Sequence, residues 1–243
     1  MNKDRQVLGV IGGLGPIATA HFMELVIRMT DADCDQKNLD MIIYNFPSIP
    51  DRTAYILDNN KASPLPDMIE LGNKLAYQNA DYIAIPCVTA HYFCDELSNN
   101  IPVPVINGVR ETASYLKENG IEAAGIMATD GTIESGLFAK ELEAAGITPV
   151  VPSKDGQKAV MHLIYNNIKA GKEPDMEKFR FVRDELFSKG AKAIILGCTE
   201  LSLIKRDYPI GAGFIDVMEV LASQSLQKCD KKVKEEYKNL ITV

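Results

Sequence analysis

Two stretches of this 243-residue chain place a cysteine just after an apolar run and just before a hydroxyl residue: "IAIPCVTAH" (83–91) and "AIILGCTE" (193–200). Aligned on Cys87 and Cys198, they extend to a longer echo, "NADYIAIPCVT" (79–89) against "GAKAIILGCTE" (190–200). Each reads as a helix end at Asn79 or Gly190, a buried strand, a turn at Pro86 or Gly197, then a thiol near the first turn of a following helix. Such a site lowers a cysteine pKa from about 8.5, because orphan N–H groups and the helix dipole favour the thiolate. Two such thiols can act as an acid/base pair. One removes a proton from carbon while the other delivers a proton to the opposite face, and the product is the mirror image.

Other chemistries compete for the same residues. A single cysteine after a strand is by default a core residue, and only the matched pair argues otherwise. Cys34, Cys94 and Cys229 lack such a turn and read as packing or surface residues. Cys87, His91 and Cys94 fall at i, i+4 and i+7, one face of a helix, and their types suit zinc; no tidy C-x-x-C or H-x-x-x-H spacing supports that reading, and no metal is expected. His91 reads more simply as a support for Cys87 near the helix start. "GGLGPIA" (12–18) contains G-x-G-x-x-A after a strand, yet Pro16 occupies the loop that would cradle a pyrophosphate, and "YNF" (44–46) lacks the acidic residue a ribose needs. Its glycines equally allow a tight turn with N–H groups free for a small anion. Arg52, in the loop "FPSIPDR" (46–52), and Lys169, at i+4 from Tyr165 in "IYNNIKAGK" (164–172), are the cations that would hold a carboxylate if they face a cleft.

These residues must be positioned by an alternation of short apolar and longer amphipathic runs. Strands are predicted at 7–11, 39–46, 82–85, 103–106, 123–127, 147–151, 191–196 and 213–215, with helices between them. Those helices include Asp67–Gln78, Val109–Glu118, Gly131–Ala145, Gln157–Ala170 and Met176–Ser188. This is the α/β pattern of a mainly parallel sheet flanked by helices, where ligands collect at the carboxyl ends of strands. The closing "KCDKKVKEEYKN" reads as a solvated helix face.

Composition narrows the function classes. A net charge of −7 and no concentrated basic stretch argue against a nucleic-acid partner. Five cysteines, an odd number with no C-x-x-C pair, read as free thiols in a reducing cytoplasm. The apolar stretch "VLGVIGGLGPIATA" (7–20) mimics a signal peptide, but its glycines and Pro16 break the central run. No segment approaches a membrane span, so neither a membrane nor secretion is expected.

The chain resembles the aspartate/glutamate racemase family, the pyridoxal-independent racemases that use two cysteines. The resemblance rests on "GVIGGLGPIAT", "YNFPSIPDR", "PCVTAH", "MATDGT", "IYNNIKAG" and "LGCTEL". It implies two pseudo-symmetric Rossmann-like α/β domains: residues 1–107 with 214–243, completed by the C-terminal helix, and residues 108–213. It also implies a site between them, commonly a homodimer, and no cofactor. Carried over by motif, Cys87 and Cys198 are the catalytic pair, Thr89 and Thr199 help bind the α-carboxylate, and Arg52 and Lys169 are candidates for the side-chain carboxylate of aspartate or glutamate. Val88, Thr129 and Glu200 complete the candidate substrate-binding set. Many members read C-N-T where this chain has Cys87-Val88-Thr89, which bears on substrate identity. Glutamate racemases carry an aspartate and a serine in the first turn and a histidine after the second C-T; this chain has Gly12-Gly13 and Glu200. Glu200 could assist Cys198 or simply favour a helix N-terminus. Related cofactor-free activities on the scaffold, such as hydantoin racemisation, maleate isomerisation or arylmalonate decarboxylation, and a non-catalytic small-carboxylate sensor, are the alternatives.

Overall fold

The computed structural model describes residues 5–243. The chain forms two compact units. The first runs to Gly108 and takes up Met218–Leu240; the second holds Val109–Val217 and Ile241–Val243.

In the first unit the central strand is β1 (Val7–Gly12), paired in parallel with β2 (Asp40–Asn45) on one side and β3 (Tyr82–Ala84) on the other. Leu8, Val10 and Ile11 are wholly buried, as expected of a strand covered on both faces. The helices are α1 (Pro16–Met29), α2 (Arg52–Leu57), α3 (Leu65–Tyr77) and α4 (Cys94–Asn100), the last preceded by a 3-10 turn over Val88–Phe93. The strand expected at 103–106 shrinks to a single parallel bridge between Val105 and Ile83. Pro102 and Pro104 have no N–H to give a ladder, so only the Pro104 carbonyl (2.9 Å) and the Ile106 N–H (2.8 Å) hold Ile83.

Helix α5 (Gly108–Glu118) leads into the second unit, whose strands are β4 (Ala123–Met127), β5 (Thr148–Val150), β6 (Ala193–Leu196) and β7 (Phe214–Asp216). All pair in parallel in the order β5-β4-β6-β7. With the Val105 bridge counted as a fourth position, this repeats the β2-β1-β3 order of the first unit. Helices α6 (Asp130–Glu134), α7 (Leu137–Ala144), α8 (Lys154–Met161), α9 (Met176–Ser188) and α10 (Thr199–Asp207) fill the connections, and α11 (Val217–Lys228) begins the return to the first unit. Phe214–Asp216 pairs with β6, and Ile241 bridges Ile215, so these residues sit with the second unit, whereas the sequence reading put 214–243 in the first.

The echo around the cysteines is structural as well as textual. Asn79 and Gly190 both adopt the left-handed conformation, at φ 64° and 97°, just past the ends of α3 and α9. The next N–H, of Ala80 or Ala191, turns back to the carbonyl of Leu75 (3.0 Å) or Leu186 (3.2 Å), a Schellman closure. Gly9 in β1 and Gly125 in β4 allow the close packing there: a Cβ on Gly9 would lie 3.0 Å from Ala80 Cβ, and one on Gly125 3.2 Å from Leu186 Cβ.

Three helical expectations change. The run 131–145 splits into α6 and α7 at Gly136, which is left-handed (φ 66°). The run 157–170 starts earlier, capped by the Ser153 hydroxyl, and widens after α8 into a π-helical turn over His162–Ile168. The terminal charge run is not a helix face. α11 stops at Lys228, and the chain then pairs antiparallel with the end of α1 through Thr30 and Val233. Backbone bonds from Asp31 N to Lys232 O and from Lys234 N to Met29 O fix it there. Among the described residues no helix is long and apolar enough to cross a membrane.

Candidate active site

Cys87 and Cys198 each follow the third strand of their unit, at the carboxyl edge of a parallel sheet, and each occupies the N-cap position of the next helical turn. Both are extended (φ −153° and −144°), and both are buried, 7% and 5% exposed. Their carbonyls accept the first helical N–H bonds, from Ala90 at 3.1 Å and Leu201 at 2.9 Å. Neither thiol caps its helix.

In the first unit, Cys87 packs in a core cluster with Leu14, Ile49 and Phe93. His91, fully buried, places Nδ1 3.0 Å from the Cys87 carbonyl oxygen. Burial holds its pKa below the usual imidazole value, so the ring is neutral and Nδ1–H donates to that carbonyl. The helical face expected to bring Cys87, His91 and Cys94 together does not form. Cys87 is extended, and the 3-10 turn advances about three residues per turn, which sets positions four apart well out of line. Among the described residues no three His, Cys, Asp or Glu side chains gather as a ligand set. Val88 and Thr89, both buried, open the 3-10 turn.

Arg52 is not a loop cation but the first residue of α2, after Asp51, whose carboxylate caps the helix through the Ala54 N–H (2.8 Å). Its buried guanidinium donates to the carbonyls of Leu14 (3.0 Å), Pro50 (3.0 Å) and Ile49 (3.3 Å). It therefore ties the turn after β1 to the loop after β2. In the turn after β1, expected to leave N–H groups free for an anion, the Gly13 N–H is already taken. The Gly13 N–H donates to Thr19 Oγ1 at 2.8 Å, and that hydroxyl donates to Gly15 O at 3.0 Å. Gly13 sits at φ 93° with no room for a Cβ, which would come within 2.4 Å of the Phe46 backbone.

In the second unit the charges converge on one thiol. Cys198 Sγ donates to Glu200 Oε2 at 2.9 Å, Thr199 Oγ1 donates to the same oxygen at 3.3 Å, and Lys169 Nζ lies 3.8 Å from Glu200 Oε1. Lys169 also stands over the Tyr165 ring, 4.5 Å from its centroid. Sequence alone left Glu200 between assisting Cys198 and favouring a helix terminus; its carboxylate is bonded to the sulfur. The acidity expected of both thiols is corrected here for Cys198. Burial, reinforced by the Glu200 carboxylate, pushes this thiol well above its usual range, and the opposing pull of Lys169 does not cancel that rise. A helix N-terminus stabilises an anion only modestly, while desolvation and a like charge both act against thiolate.

Thr129, after β4, caps α6: its hydroxyl accepts the Thr132 N–H at 3.4 Å and lies 3.1 Å from Thr132 Oγ1. A further support had no sequence signal. Gln157 Nε2 donates to Ala128 O (3.0 Å) and Asp130 Oδ1 (2.7 Å), holding the turn after β4 from a helix that follows β5. Only the folding of α8 onto that turn brings them together.

Comparison with known proteins places the chain among relatives of the same fold. The family profile described as Asp/Glu/Hydantoin racemase matches residues 11–225. The broad-specificity amino-acid racemase RacX of Bacillus subtilis is 28% identical over 228 residues, spanning 90% of this chain and 96% of that one. The solved aspartate racemase of Picrophilus torridus superposes with a TM-score of 0.80 at 30% identity, covering 96% and 97% of the two chains. A glutamate racemase from Francisella tularensis, solved with D-glutamate, shares the fold at a TM-score of 0.61 and 20% identity, over 93% of this chain and 81% of its own. The chain belongs to the Asp/Glu/hydantoin racemase family.

Proposed function

We propose that the protein racemises an acidic amino acid, aspartate or glutamate, without a cofactor, with Cys87 and Cys198 as the two bases. The observation that carries this reading is the duplicated placement of a buried cysteine at the carboxyl end of the third strand, on a helix N-terminus, in each unit. In one direction Cys87, as thiolate, takes the Cα proton and becomes a thiol. The Cys198 thiol gives its proton to the opposite face of the carbanion and becomes a thiolate. The reverse direction exchanges the roles, so the two half-reactions balance without an external acid or base.

Backbone N–H groups in the first turns after each cysteine, with the Thr89 and Thr199 hydroxyls, stabilise the charge that builds on the α-carboxylate. Thr129, as the cap of α6, shapes the turn after β4, the strand paired with β6, which leads to Cys198. Lys169 pairs with the side-chain carboxylate, and Arg52 shapes the loop that receives it. The substrate class also draws on relatives named as aspartate, glutamate and broad-specificity racemases. The protein works as a homodimer in the cytoplasm, a state that light scattering on purified protein checks.

In deuterium oxide the wild type incorporates solvent deuterium at Cα and inverts it, and Cys87→Ala and Cys198→Ala each lose racemisation. Full turnover by either variant rejects the two-base scheme. Val88, standing where many relatives have asparagine, favours a second reading in which the same pair acts on a related substrate such as a hydantoin. A panel of amino acids, hydantoins, maleate and arylmalonates, read by chiral chromatography, separates the two. Inertness across the panel supports a small-carboxylate sensor instead.

A further inference from the structure

Lys169 has two claims on its charge. In the structure its ammonium faces Glu200 Oε1 at 3.8 Å, and Glu200 holds the Cys198 thiol through its other oxygen at 2.9 Å. Under the reading above, the same ammonium receives the side-chain carboxylate of the substrate. The geometry favours a mobile role: the Glu200 side chain is 7% exposed, whereas that of Lys169 is 27% exposed. The ammonium can therefore shift toward an incoming anion while Glu200 stays with the sulfur.

The π-helical turn is what delivers it. The Lys169 N–H bonds to Ile164 O, five residues back, at 2.9 Å. One extra residue in a turn rotates everything after it by about 100°, so an α-helical version of 162–168 would carry Lys169 to a different side of the helix. π-turns of this kind recur at functional sites. The turn packs directly on the buried cluster that contains Cys198, through Leu163 and Ile164.

We infer that Lys169 relays the filling of the side-chain-carboxylate position to Cys198 through Glu200, so that a bound dicarboxylate raises the proton affinity of Cys198 and favours, without locking, the form of the enzyme in which Cys198 is the donor. This rests on the assignment of Lys169 to the substrate's side-chain carboxylate. With the position empty, Lys169 offsets part of the Glu200 charge. With it filled, the ammonium is drawn away and the uncompensated carboxylate strengthens the sulfur's hold on its proton. Glu200 from α10 and Lys169 from the π-turn are the charged groups acting on this thiol among the described residues. Lys169 is thus a positioning residue for Cys198 as well as a substrate ligand. A monocarboxylic amino acid leaves Lys169 on Glu200, so selection of the acidic substrate operates on the proton donor as well as on binding.

Thiolate absorbance near 240 nm, taken as the difference between otherwise identical full-length chains with and without Cys198, reads this directly and is not blocked by a ligand in the site. Lys169→Met shifts the Cys198 titration up by about one pH unit, the low end for a neighbouring opposite charge, and Lys169→Arg restores it. Saturating succinate, which has no stereocentre to invert, produces the same upward shift in the wild type and none in Lys169→Met; propionate produces none in either. In a Glu200→Gln background the Lys169→Met shift shrinks to what the direct pull of Lys169 on the sulfur supplies. The inference is overturned if Lys169→Met leaves the titration unchanged, if the shift is undiminished in Glu200→Gln, or if succinate fails to move the wild type. Failure of the racemase reading shows separately, as absence of Cα–H exchange on every acidic amino acid.

Discussion

Cys198 Sγ and Glu200 Oε2 are hydrogen-bonded at 2.9 Å across a single intervening residue, both side chains buried at the start of α10. The bond stores a proton on sulfur. Glu200→Gln keeps the shape and removes the charge, so the thiol becomes more acidic and alkylates about tenfold faster at neutral pH. Racemisation falls by about 10²-fold, the lower end of what a positioned acid or base supplies. Peptide-resolved alkylation rates and initial rates from both enantiomers check this; equal alkylation in variant and wild type would refute the role given to Glu200.

Arg52→Lys tests whether the guanidinium is structural. A lysine has a single ammonium and cannot span the carbonyls of Leu14, Ile49 and Pro50, which the arginine fork reaches together. Lost hydrogen bonds from a charged donor are worth about 1.5–3 kcal/mol each. The variant therefore melts several degrees lower and also loses activity, because the turns after β1 and β2 loosen together. Loss of activity at an unchanged melting temperature would instead show that Arg52 acts on substrate alone.

Gly13 and Gly171 make a matched pair. Both are left-handed, at φ 93° and 67°, but a Cβ on Gly13 would meet the Phe46 backbone at 2.4 Å while one on Gly171 meets nothing within 4 Å. Gly171→Ala costs about 1–2 kcal/mol, the strain of an L side chain in that conformation. Gly13→Ala costs clearly more, because a backbone atom cannot step aside as a side chain can. Urea denaturation of the two variants side by side measures the difference.

Stability has an acid and an alkaline limb, set by different buried groups. His91 is buried and neutral with its pKa below 6.5, so as pH falls through 6.5 the unfolded chain takes up a proton first and stability declines. Cys229 is pushed up from 9.0 to about 12, chiefly by burial, so above pH 9 the unfolded chain loses a proton first and stability declines until about pH 12. Cys198 adds to the alkaline limb in the same direction. His91→Gln reduces the slope just below pH 6.5 and Cys229→Ala reduces the alkaline slope while leaving the Cys198 share, whatever each does to stability at neutral pH. Chemical denaturation at a series of pH values gives both slopes.

The sequence repeat around the two cysteines was readable because its causes are local. An asparagine or glycine that tolerates a positive φ ends the helix, a buried apolar run makes the strand, and a turn places the thiol after it. α9 follows the same logic and spans Met176–Ser188 as its periodicity predicted. The strand at 103–106 and the long helix at 157–170 were misjudged for equally physical reasons. Prolines deny a ladder its donors at the first, and apolar periodicity cannot distinguish an α-helical turn from a π-helical one at the second.

Taken alone, the residues determined that the order is α/β, where most of the strands fall, and that a cysteine closes the third strand of each half, since each depends on neighbours within a few positions. Tertiary structure decided what the charged and polar groups do. Glu200 bonds to sulfur, Lys169 reaches Glu200 from a helix some thirty positions earlier, the Arg52 fork is spent on three carbonyls, and the Gly13 N–H is taken by Thr19. Lys169 to Glu200 and Arg52 to Leu14 join segments remote in the chain, while the nearer contacts depend on side-chain directions and burial that only the folded turns set, and a pKa such as that of Cys198 follows from these surroundings rather than from residue type.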